Sequence, residues 1–193
     1  MATTFRQLLN RALRITGEDT ISDATSTLTD SQHLIVAEVA NEIKEEVEAA
    51  HNWRALRQAV TVSFSSGETS NTITEADERS RIVRIQDHRR CGMYALAFDV
   101  TDSSSPVHLK EMDLAELLYR REMDPDTNSD PYWFALDNSS GDVLKVHVHP
   151  TPADTRSIKL YLTIPQARLG ASVLDTSIKV PVRPITLGLI RWI

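Results

Sequence analysis

The first run of apolar residues, Phe5, Leu8, Leu9, Ala12 and Leu13, has the i, i+3, i+4, i+7, i+8 spacing of one helical face, and Gly17 follows as a left-handed stop. This predicts a helix over Thr4 to Ile15. The polar stretch "EDTISDATSTLTD" reads as a loop, and Thr29 with Gln32 has the form of a capping box that opens a second helix. In that helix Val36, Val39, Ala40, Ile43, Val47 and Ala50 fall within about 100° on a helical wheel, and Glu38, Asn41, Glu45 and Glu48 point the other way. If it runs on to Arg57 it is roughly 40 Å long at 1.5 Å per residue, a spine packed on one stripe.

After Trp53 the period drops from 3.6 to 2. Val60, Val62 and Phe64 alternate with small polar residues, "SSGETSN" is a turn and "TIT" resumes, which predicts a hairpin. Strands are predicted at Arg81–Asp87 and Met93–Asp99. Asp113 with Glu116 opens a short helix whose Leu114, Leu117 and Leu118 face inward. "YWFALDN", "DVLKVHVHP" and "RSIKLYLTIP" read as an antiparallel meander with one buried face, and Pro184 suits the first turn of a last helix. The predicted class is α+β: N-terminal helices including the long spine, then a mainly antiparallel β region with a short mid-chain helix, then a C-terminal helical segment. The divisions fall at residues 1–58, 59–180 (with the inserted helix near 113–123) and 181–193, within one compact domain.

Charge narrows the function. The formal net charge of -6 argues against a protein that grips nucleic acid, which needs a surplus of Lys and Arg on one face. The single cysteine, Cys91, excludes an internal disulfide and suits a reducing compartment, so the chain is expected to be cytosolic at synthesis. No apolar run approaches the length of a membrane span, and the N-terminus lacks the apolar core of a signal peptide.

Candidate chemistry is sparse. His147 and His149, two apart on a strand, project from one face with a spacing that zinc sites use, but no second ligand pair accompanies them and Lys145 shares their face. They read as surface histidines. Cys91 lies beside Arg89 and Arg90, which favour a thiolate, and reads as a loop cysteine for want of a paired base. The chain has no G-x-S-x-G elbow, Gly-rich phosphate loop, H-E-x-x-H or C-x-x-C. The expectation is a non-enzyme with no cofactor and no metal. Tyr132, Trp133 and Phe134 could form a platform for a peptide or glycan in a monomeric binding module, although alternation would bury one or two of them.

Two charge clusters stand out. Glu38 with Glu42, and Glu42 with Glu46, are like-charge i,i+4 pairs that cost on the order of 0.2–0.5 kcal/mol each in isolation. Arg79, Arg81, Arg84, Arg89 and Arg90 form a basic cluster, read either as a charged edge strand or as a patch meeting the acidic spine of a neighbouring copy. In the second reading Glu38, Glu42 and Glu45 face Arg81, Arg84, Arg89 and Arg90 across a head-to-tail contact, which closes into a ring where the rotation permits.

The order of features, with "NEIKEEV" leading to "NWRALR" over Asn41–Arg57, then "DPYWFALD", "LKVHVHPTPA" and "IKLYLTIP", resembles the head-to-tail adaptor proteins of tailed bacteriophages, the group of tail tubular protein A and related neck proteins. The resemblance covers most of the chain in layout. It implies a non-enzymatic virion component in the neck between head and tail, typically twelve copies in a ring, bound to the portal protein and to tail or neck proteins. Genomic DNA would pass through the ring without specific binding, along an acidic lumen that does not hold it. It also implies a C-terminal segment that docks on the portal, here through Leu187, Leu189, Ile190 and Trp192.

Overall fold

The computed structural model describes residues 3–22, 24, 27–87, 92–124, 128–139 and 143–192. The class is mixed α+β. Among the described residues there are four α-helices, α1 (Phe5–Thr16), α2 (Ser31–Ala49), α3 (Leu114–Met123) and α4 (Val182–Trp192), and several largely antiparallel sheets. In place of one compact domain, the chain separates into a helical unit of residues 1–56 and 165–193 and a β unit of residues 57–164 inserted into it.

In the helical unit, α1 forms as its pattern predicts. The Thr4 hydroxyl accepts from the Gln7 N–H, the Gln7 side chain returns the bond to the Thr4 N–H, and Gly17 at φ 81° closes the C-terminus. Phe5, Leu8, Leu9, Ala12 and Leu13 are all buried. The buried Asn10 amide pins the following loop by bonding both the N–H and the C=O of Ile21. Residues 165–181, which carry no helix or named strand, add Leu169, Leu174, Ile178 and Val180 to the same core.

The expected spine is shorter than its pattern suggested. Asp30, not Thr29, caps α2, accepting from the N–H groups of Gln32 and His33, and the helix stops at Ala49. Its 19 residues span about 28 Å. The chain then makes a single 3₁₀ turn over Arg54–Leu56. Trp53 acts on the helix end itself: its indole N–H donates to the Val47 carbonyl at 2.7 Å, one of the acceptors a helix terminus leaves open.

The wheel of α2 also needs correction. Val36 and Ala40 are buried, and Val39, Ile43 and Val47 pack against the core, as expected. Asn41 and Glu48, assigned to the outer face, are buried as well, with Ala37 and Lys44. Positions 37, 41, 44 and 48 repeat at i, i+4, i+7, i+11, so α2 buries a second stripe beside the apolar one. Asn41 exchanges two hydrogen bonds with the Leu169 backbone. Lys44 Nζ donates to both Glu48 carboxylate oxygens and to the Gln166 carbonyl, with both side chains almost sealed from water, 1% and 2% exposed. These polar groups are tolerated because each finds a partner.

The β unit has thirteen strands among its described residues: β1 (Arg57–Phe64), β2 (Ser70–Ile73), β3 (Arg81–Ile82), β4 (Arg84–Asp87), β5 (Gly92–Ala95), β6 (Ala97–Asp99), β7 (Val107–His108), β8 (Lys110–Glu111), β9 (Asn128–Ser129), β10 (Trp133–Asp137), β11 (Leu144–His149), β12 (Thr151–Pro152) and β13 (Arg156–Thr163). One sheet runs β1-β13-β6-β7 with β3 also on β13, and a second runs β2-β11-β10-β8. The two smaller pairs are β4 with β5 and β9 with β12.

The predicted β1–β2 hairpin does not form. β1 pairs along its whole length with β13, Arg57 opposite Thr163 to Phe64 opposite Arg156, whereas β2 joins β11 in the other sheet. The C-terminal meander is likewise split, with β10 and β11 a hairpin and β13 in the opposite sheet. Both crossings serve one core, in which Val60, Val62, Phe64, Ile158, Leu160 and Leu162 of the first sheet share a cluster with Ile73, Phe134, Leu144, Val146 and Val148 of the second. Period-2 alternation correctly assigned those inward faces.

α3 contacts β10 and β11 in the second sheet. Asp113 caps it, accepting from the Ala115 N–H. Leu117 is buried and Leu114 half-buried, but Leu118, expected inside, is exposed. Leu118 lies about 100° round the helix from Leu117, and a helix lying on a sheet buries one narrow stripe.

Candidate interaction surfaces

The acidic face of α2 is partly neutralised from within its own unit. Arg168, from the segment after the β unit, donates to Glu45 at 2.9 Å and also pairs with Glu38. Hydrogen bonding to Glu45, then the charges of Glu45 and Glu38, push the Arg168 guanidinium above its ordinary pKa. Two of the three glutamates proposed for an intersubunit contact therefore have a partner already. Glu42 is the third, and with Glu46 it is exposed and without an ion-pair partner among the described residues. Of the proposed basic counterpart, Arg81 is exposed and Arg84 is held by Glu111 on β8. Arg89, Arg90 and Cys91 lie outside the described residues. Sequence reasoning missed Arg168, whose 123-residue separation from Glu45 leaves no local signal.

The C-terminal helix is similarly divided. Leu189 is fully buried with Ile185 in the helical core, which removes it from any docking surface. A close approach between helices explains the placement, since a Cβ on Gly188 would stand 3.0 Å from the Ile43 side chain of α2. Ile190 is half-buried. Leu187 and Trp192 are 54% and 52% exposed. Trp192 lines an open cleft of about 380 Å³ with Glu18, Ser31, Gln32, Ile35 and Val36, and Ile35 is itself mostly exposed. The indole, Ile35 and Val36 form the apolar part of this cleft at the N-terminal end of α2, and Glu18, Ser31 and Gln32 its polar part.

No protein-family model matches this chain, and no curated protein matches it. Its function is therefore read from these surfaces.

In the β unit the aromatic triplet does not form a common platform. Phe134 is core. Trp133, on the opposite face of β10, stacks on His149 at 5.9 Å and 21° and lies beneath the Arg120 guanidinium at 5.0 Å. Tyr132 is 39% exposed, meets the Trp133 ring edge-on, and lies under Lys110 at 4.6 Å. These contacts occupy the ring faces that a stacking ligand would need.

The two histidines share a face as predicted, but they are not surface residues. His149 is buried, and the His147 side chain is 14% exposed. Both lie with Arg121 of α3, whose Nη2 donates to the Val148 carbonyl between them and to the Thr69 carbonyl. No group of three or more metal-ligating side chains occurs among the described residues. Among them, no helix is long and apolar enough to cross a membrane.

Proposed function

We propose that this chain is a structural adaptor subunit of a bacteriophage neck, assembling in a ring against a portal and continuing the channel for the genome. The observation that carries this reading is the two-sided α4. Ile185 and Leu189 hold the helix in the core while Leu187 and Trp192 are exposed, Trp192 in the cleft that Ile35 also lines. Large apolar side chains left exposed on one helix mark a surface that gains from being covered, each contributing about 1.5–3 kcal/mol when fully buried. In this reading Leu187 and Trp192 dock on the portal, with Ile190 at the margin.

The free carboxylates of Glu42 and Glu46 meet a basic surface on the next copy. Exposed Arg11 and Arg14 on α1 supply that charge together with Arg81. Such a contact is heterologous, the type that closes into a ring. Catalysis plays no part in this reading.

The test is light scattering and negative-stain imaging of the purified chain, alone and mixed with portal rings. A ring, or symmetric addition to a portal that is lost when Leu187 and Trp192 become alanine, supports the adaptor. A monomer indifferent to every portal offered counts against it and directs attention to the β unit.

A further inference from the structure

The joint between α3 and the second sheet contains polar groups that its packing leaves unserved. Arg121 Nε, both ring nitrogens of His147 and Nδ1 of His149 are buried with no hydrogen-bond partner among the described residues. Asp137 Oδ2 stands 3.6 Å from His147 Nε2, beyond hydrogen-bond distance though within ion-pair reach of a protonated ring. Buried polar groups are almost always paired, so a cluster of unpaired nitrogens on three neighbouring side chains is a feature with a cost. The cost is tolerable while the imidazoles are neutral. A proton on either ring would place a second cation beside the Arg121 guanidinium, on nitrogens shielded from water.

We propose that α3 is an acid-released latch: protonation of His147 and His149, which lie beneath it beside Arg121, detaches α3 from β10 and β11.

The surrounding charges favour release. α3 brings Arg121 and Arg120 near the pair and the residue that follows it brings Asp124, while β11 contributes Lys145 and β10 contributes Asp137. Thr69 and Ser70, the β2-side neighbours of β11 here, carry no charge. Asp137, within ion-pair distance of His147 at 3.6 Å, and Asp124 offset part of an incoming charge, but the cations Arg121, Arg120 and Lys145 outnumber them. Burial first, and then Arg121, hold the pKa of each histidine below its ordinary value.

The sign follows from linkage. A histidine whose docked pKa is depressed is neutral in both states above about pH 6.5, where docking is independent of pH. Below that value the detached state takes up more protons, and docking weakens by up to about tenfold per pH unit per histidine, or about 100-fold for the pair. Detachment bares buried Leu117 and Ala135 and frees Trp133 from Arg120.

Amide hydrogen exchange on the full chain, read over residues 117–123 and divided by the intrinsic rate at each pH, tests this directly. Between pH 7.5 and pH 5.5 the protection of these amides should fall by at least tenfold while that of β1 and β13 holds. In H147Q/H149Q the fall should disappear. Undiminished protection in the native chain, or the same loss in the double variant, overturns the latch. R121Q keeps both histidines and removes the neighbouring cation, so its release should require lower pH. An unshifted midpoint in that variant overturns the part assigned to Arg121.

Discussion

Glu48→Ala provides a severe test of the polar stripe on α2. Glu48 accepts from Lys44 Nζ at 3.2 and 3.3 Å and from the Gln166 N–H at 3.3 Å. Without it, a sealed ammonium keeps the Gln166 carbonyl at 2.7 Å but loses its carboxylate. Removing one partner of a buried pair costs about 3–5 kcal/mol. A ceiling comes from the lysine itself: giving up its proton at pH 7 from an ordinary pKa near 10.4 costs about 4.6 kcal/mol, and the chain cannot lose much more than that to an unpaired charge. The expected loss is therefore about 3–5 kcal/mol in the helical unit.

Urea unfolding followed by tryptophan fluorescence measures that loss. Trp53 and Trp192 report on the helical unit and Trp133 on the β unit, so Trp133→Phe serves as the parent for all variants. In Glu48→Ala the folded state favours a neutral Lys44, so the unfolded state binds the extra proton and stability rises with pH. The loss should shrink by up to about 1.4 kcal/mol per unit between pH 7 and pH 9. Lys44→Met/Glu48→Leu, which removes both charges, should recover most of it. A loss under about 1 kcal/mol for Glu48→Ala, or one that does not diminish with pH, would refute the claim that Lys44 is sealed and depends on Glu48.

Three further outcomes are expected. Asn41→Ala deletes two bonds to the Leu169 backbone and leaves buried groups unpaired, which should cost the helical unit about 2–3 kcal/mol in the same urea assay. Leu187→Ala/Trp192→Ala should shift stability by no more than about 0.5 kcal/mol, as exposed positions do, while cosedimentation with portal rings is lost. Reversing Glu42 and Glu46 to lysine should reduce self-association in sedimentation velocity, and reversing Arg11 and Arg14 to glutamate in the same chain should restore it, as complementary charge requires. Arg168 is untouched in that design, so its internal pairs with Glu38 and Glu45 remain as a control.

The candidate surfaces were only partly legible in the linear pattern. That His147 and His149 share a face follows from strand periodicity alone, but their burial depends on α3, which reaches β11 from a position about thirty residues earlier. Leu187 and Leu189 looked equivalent in an apolar run. They part because α4 meets the core along one line, which passes through Ile185 and Leu189. The linear pattern assigned the glutamates of α2 to a neighbouring copy's arginines, whereas Glu38 and Glu45 pair with Arg168 from within the chain.

What the sequence determined by itself is what short-range physics controls. Thr4, Gln7 and Gly17 bound α1, Asp113 starts α3, and alternation in Val60-Val62-Phe64 and Ile158-Leu160-Leu162 assigns the inward faces of β1 and β13. Each depends on contacts within about four residues or on the two-residue repeat of a strand. Tertiary structure alone decided which strands pair, because β1 satisfies the same hydrogen bonds with the distant β13 as it would with the adjacent β2. It likewise decided that Lys44 and Glu48 are interior, since a charged i,i+4 pair looks the same on a wheel whether water or Gln166 lies against it. Burial is a property of what arrives from elsewhere in the chain, and for α2 that is residues 166–169, which follow the β unit in sequence.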